Sequence, residues 1–140
     1  MGFHLSYVAL RDGPEFSDPR GVRQSYSMIK PMGDFSANEL FYYDAQVSFL
    51  VIGIDETHWS AYCIVDTFLG SDQGTNAYFM RKEDGPSGGA RSESQPCWNP
   101  REYFLLVLSQ RIKQSTREWG NMISTLMERL DVYVCTATRI

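Results

Sequence analysis

Five large apolar residues recur every seven positions along the C-terminal third of the chain: Leu105, Ile112, Trp119, Leu126 and Tyr133. Leu108, Met122 or Ile123, and Leu130 fill much of the interleaved row, which is how a long α-helix writes one apolar stripe. The stretch also opens with the chemistry of a helix start. Asn99 suits the N-cap, Pro100 the first helical position, and Glu102 completes an Asn version of the capping box. The pattern predicts one helix over about 100–133, or two helices meeting near Gly120 and Asn121. Residues 103–108 are apolar almost all round, so the first turns should lie deepest in the core. Ser115 and Thr116 weaken a coiled-coil seam, so the helix is expected to pack on a sheet of its own chain.

That sheet is most readable at 44–69. Val47, Phe49 and Val51 fall on one face of a strand and Leu50 and Ile52 on the other, which fits a central or helix-covered strand. After a turn-like Gly53-Ile54-Asp55-Glu56-Thr57, residues 59–68 read as a second strand. Trp59, Ala61, Cys63 and Val65 share one face, and Ser60, Tyr62, Ile64 and Asp66 the other. Too few residues separate the runs for a crossover helix, so a hairpin follows.

The rest is less regular. Residues 3–10 suit one short strand within an otherwise irregular 1–40, and a brief helix is expected at 36–40. Residues 70–98 have loop composition, with a short strand at 76–80. The run Asp84-Gly85-Pro86-Ser87-Gly88-Gly89 lacks the Lys-Ser/Thr ending of a phosphate loop and reads as a flexible connection.

At 140 residues the chain would bury about two-thirds of its unfolded surface, enough for one domain over 1–140. No apolar run reaches the length of a membrane span. Three cysteines without a CxxC argue for a reducing compartment, and Cys63, in an apolar run, reads as a small buried hydrophobe. Met1-Gly2 followed by Ser6 meets the short myristoylation pattern, but the segment reads equally well as a strand start.

Charge is unevenly placed. Residues 31–80 carry seven acids and no Lys or Arg, which repels a phosphate backbone and excludes nucleic acid as the expected partner. Arg111, Lys113 and Arg117 are expected to form a solvated face of the helix or to pair with the acidic half. Within the acidic stretch, Asp44, Asp55, Glu56, His58, Tyr62 and Asp66 are the candidates for a ligand site. Carboxylates with a histidine would suit Mg²⁺ or another divalent cation, although the spacing matches neither a zinc helix nor a calcium loop. No cofactor is otherwise expected, and no catalytic triad or elbow is visible.

Two blocks carry a resemblance. Asp44-Ala45-Gln46-Val47-Ser48 with Gly53-Ile54-Asp55-Glu56, Trp59 and Ala61-Tyr62-Cys63-Ile64-Val65-Asp66-Thr67-Phe68 forms the first, and Trp98-Asn99-Pro100-Arg101-Glu102-Tyr103-Phe104-Leu105 the second. Together, over about 40–133, they resemble a group of uncharacterised filamentous-fungal proteins labelled CorA-like magnesium transporters. The resemblance implies the region before the membrane spans, with a structural or regulatory role. The Gly-Met-Asn signature of magnesium channels is absent, so transport by this chain is not implied.

The expected fold is therefore α+β, a small antiparallel sheet packed against a long C-terminal helix or two helices. The expected function is a soluble, cytoplasmic interaction or regulatory module, membrane-associated only through a partner, and not an enzyme. Its partner is a protein, a second copy included, met at Ile112, Trp119, Met122 and Leu126. The competing readings are a small-ligand or enzymatic site at residues 44–66 and a divalent-cation sensor.

Overall fold

The structure, a computed structural model, describes residues 1–12, 15, 25–27, 39–66, 84–92, 94 and 97–138. Four strands, β1 (Gly2–Asp12), β2 (Ser25–Ser27), β3 (Leu40–Gly53) and β4 (Trp59–Val65), precede one helix, α1 (Pro100–Ala137). The α+β architecture is the expected one: a four-stranded antiparallel sheet with a long helix on it.

β3 organises the sheet. Its alternation buries Phe41, Tyr43, Ala45, Val47, Phe49 and Val51 on one face, because successive side chains of a strand point to opposite sides. β1 pairs along its own whole length with residues 40–50 of β3, from Gly2 opposite Leu50 to Asp12 opposite Leu40. The other edge is shared end to end: β2 lies opposite 41–43 and β4 opposite 47–53. β1 is thus longer than the short strand expected at 3–10, since its ends are fixed by pairing with distant residues. The hairpin is present as expected. Gly53 faces Trp59 where it turns, and a Cβ there would lie 2.7 Å from that of Trp59. Of the helix expected at 36–40, Leu40 instead opens β3 and 36–38 lie outside the described residues. So do the strand expected at 76–80 and the end of the second strand at 67–68.

α1 is a single helix with Gly120 in its interior, not two. Its start follows the predicted cap, with Asn99 Oδ1 accepting from the amides of Arg101 at 2.9 Å and Glu102 at 3.3 Å. The first half lies on the buried face of the sheet through Tyr103, Val107, Arg111 and Glu118, spaced for one helix face. Phe3, Phe49, Tyr103, Phe104 and Trp59 form a chain of rings with centroids 5.5–6.1 Å apart at the hairpin end of the core. Of the predicted apolar start, Val107 is fully buried but Leu105 faces solvent.

Two expectations are corrected here. Arg111 is not on a solvated face; it is buried, and its guanidinium donates to the carbonyls of Pro86 (3.0 Å) and Gly85 (2.8 Å) and to Gln114 Oε1 (2.8 Å). A long side chain with five donors in a fork reaches backbone acceptors that a shorter residue would leave unpaired. The Gly-rich run it holds is correspondingly not a loose connection. Asp84 Oδ2 accepts from the Ser87 amide (3.0 Å), Asp84 Oδ1 from the Tyr103 hydroxyl (2.8 Å), and Ser87 is wholly buried. Gly88 and Gly89 adopt φ of 65° and 83°, a conformation that favours glycine. Lys113 and Arg117 remain exposed.

Candidate functional site

The six residues singled out between 44 and 66 are distributed along the hairpin. Asp55, Glu56 and His58 lie in its turn, all exposed. Asp55 Oδ1 accepts from the Thr57 amide (2.8 Å) and hydroxyl (2.7 Å), from the His58 amide (2.8 Å) and from His58 Nδ1 (3.1 Å). These bonds, led by the Thr57 hydroxyl, hold its carboxyl at about 2, below its ordinary 3.8. An Asp followed two residues later by Thr closes such a turn on its own side chain. At the opposite end, Asp66 continues the ladder beyond β4: its amide donates to Gln46 O and its Oδ2 accepts from the Gln46 amide, both at 3.1 Å. Asp44 and Tyr62 are exposed on the sheet face away from α1. The structure therefore brings together Asp55, Glu56 and His58, and separately sets Asp66 beside Gln46, two residues along β3 from Asp44. The two groups are about 20 Å apart, the length of β4.

Beside the turn is an open cleft of about 360 Å³ whose lining includes Asp55, Glu56, Trp59, Pro100 and Arg101. Trp59 forms its wall, held by its indole N–H to Trp98 O at 3.1 Å and by a tilted ring contact with Tyr103, 5.5 Å between centroids. Among the described residues, no three His, Cys, Asp or Glu side chains are grouped to hold a metal ion. Cys63 is half-buried against the core, and burial pushes its thiol pKa up, which suits a packing role better than a reactive one.

Apolar surface is the more prominent feature. On α1, Leu105, Ile112, Trp119, Ile123, Leu126, Leu130 and Tyr133 are each 40–62 % exposed. From 119 the spacing is four, three, four, three, which keeps all of them on one side of a helix. Among the described side chains from 119 onward, none is buried. Three of the four predicted contact residues, Ile112, Trp119 and Leu126, belong to this row. Met122 is half-buried beside it, and Ile123 holds its place in the spacing. The row does not face the sheet. The sheet-facing positions include Arg111 and Glu118, so a search for apolar periodicity could not have found them.

A smaller patch went unforeseen. Leu50, Ile52, Tyr62 and Ile64 are exposed on the sheet face away from α1, with Leu50 directly opposite Tyr62. The signal was in the apolar residues on both faces of β3, because one helix covers only one face of a sheet. Among the described residues, no helix is long and apolar enough to cross a membrane. No family model, curated protein or solved structure matches the chain.

Proposed function

We propose that the chain is a protein-contact module: an α+β body that presents the exposed row of α1 to a protein partner. The observation that carries this reading is the row itself. Its seven side chains present on the order of 700–800 Å² of surface, above the roughly 300–600 Å² of the largest patch on a typical monomer. The patch on the sheet, at about 500 Å², falls within that ordinary range. The row is also part of no core that the described residues form, so packing within the chain does not account for its spacing.

The test is site-specific photocrosslinking in cells from position 126, in the row, and from position 128, on the opposite side of the helix. Adducts from 126 and none from 128 support the reading. No adduct from 126, or equal adducts from both, removes it.

A further inference from the structure

The row offers more than a surface, because its spacing and its flanks specify an occupant. We infer that it pairs with the same row of a second copy of this chain, the two helices running parallel and in register. This rests on the protein-contact reading above.

Four observations converge on that partner. First, Trp119, Ile123, Leu126, Leu130 and Tyr133 alternate steps of four and three, the repeat at which one helix keeps a straight seam against another. A globular partner of other shape does not require that repeat. Second, each copy presents on the order of 700–800 Å² along the row, close to the roughly 800 Å² that each partner contributes to a standard stable interface.

Third, the positions on either side of the seam from 120 onward are Gly120, Met122, Met127, Arg129, Val134 and Thr136. Met127 and Val134 are exposed apolar residues, so the contact strip widens where a coiled coil usually carries charges. In a parallel pair Arg129 lies beside Val134 of the second copy.

Fourth, Ile112 and Leu105, both exposed, hold alternate seam positions along the sheet-bound half of α1, with the polar Thr116 and Ser109 between them, so the apolar seam is continuous only from Trp119 onward. A parallel arrangement in register sets these positions against their own counterparts. In the central heptad, Ile123 and Leu126 provide the β-branched-then-leucine order favoured by parallel two-stranded pairs, and Leu130 with Tyr133 does not repeat it. The sheet-facing residues lie on a different side of the helix, so each body stays clear of the seam.

Sedimentation velocity of the full chain, from about 5 to about 200 µM, tests the pairing. The expected species is a dimer of twice 16.0 kDa. Leu126→Glu with Leu130→Glu weakens it about tenfold or more, with the circular dichroism per residue of the body retained, since both residues are exposed. Orientation is read by Leu126→Cys in a Cys135→Ser background. Mild oxidation links the parallel pair through 126, whereas Glu128→Cys in the same background stays unlinked. A chain monomeric throughout overturns the pairing, and a dimer that does not link through 126 overturns its register. The in-cell crosslink from 126 separates the two readings. Adducts only to a different protein overturn self-pairing and keep the contact surface, and no adduct at all removes both.

Discussion

Arg11, next to last in β1, and Glu118, the last buried residue among the described side chains of α1, face each other through two hydrogen bonds of 3.0 and 3.2 Å. The fork of the guanidinium matches the two carboxylate oxygens, and the glutamate side chain is only 10 % exposed. A second Arg11 contact, to Leu10 O at 2.6 Å, keeps the arginine in place. The pair joins the end of the edge strand to the point where the helix leaves the sheet. A double-mutant cycle of Arg11→Ala and Glu118→Ala, read by urea unfolding, is expected to give a coupling of about 1–2 kcal/mol, above that of an exposed pair. Coupling near zero would show that the two side chains are merely adjacent.

Arg111 should matter more than either. Arg111→Met strands the carbonyls of Gly85 and Pro86 together with Gln114, at a cost of about 2–3 kcal/mol, and Arg111→Lys restores only part because the fork is lost. Hydrogen exchange should then rise across 84–91. Wild-type protection of those amides in Arg111→Met would contradict the docking described above.

The same loop has a pH signature. Burial, then the bond to Asp84, raise the Tyr103 hydroxyl pKa above its ordinary 10.0. Its contribution is therefore fully present below about pH 10 and is lost as pH rises through the folded value. Tyr103→Phe is expected to cost about 1 kcal/mol at neutral pH and to flatten the alkaline loss of stability. A smaller slope remains from Tyr7, whose pKa burial also raises. An unchanged alkaline slope in the variant would place its origin elsewhere.

Asp55 has the opposite sign. Its pKa is lowered to about 2 from 3.8, so its contribution holds above 3.8 and is lost as pH falls through about 2. Carbon-detected NMR should show a midpoint near the lower value, and Thr57→Val should move it up toward 3.8. A wild-type midpoint already near 3.8 would mean that the turn bonds do not persist in solution.

Gly120 sits inside α1 with open space where a Cβ would go. Gly120→Ala is expected to stabilise the helix by about 0.5–1 kcal/mol, seen as higher helicity at elevated temperature. A loss of helicity would reveal a close neighbour at that position.

These residues also show where sequence reading succeeds. Asn99, Pro100 and Glu102 announce the start of α1 because a cap is built from neighbours in the chain. The β3–β4 hairpin is equally local. The length of β1 is not, since Arg11 and Asp12 become strand by pairing with Phe41 and Leu40. The 84–91 loop misleads because its glycines suggest freedom, while its order comes from Tyr103 and Arg111 of a distant helix. The seven-residue row is visible in the sequence but not its destination. The residues that dock α1 include an arginine and a glutamate, and no hydrophobic pattern predicts them. Of the candidate ligand residues, alternation correctly assigned Tyr62 to the face opposite Cys63. The same local reading put the turn before the second strand and Asp66 at its far end, as the structure has them.

Phe3 beside Phe104 and Arg11 beside Glu118 mean that α1 and β1 run in the same direction. Residues 119–137 then form a rigid arm of about 28 Å beyond the Arg11–Glu118 clasp. Tension along that arm loads the whole helix–sheet seam in shear, with Glu118, Arg111, Val107 and Tyr103 sharing the force at once. A sideways pull at the tip has leverage instead and reaches the clasp first, so whatever grips the arm can prise the module open from one end or haul on it without effect, according to its angle.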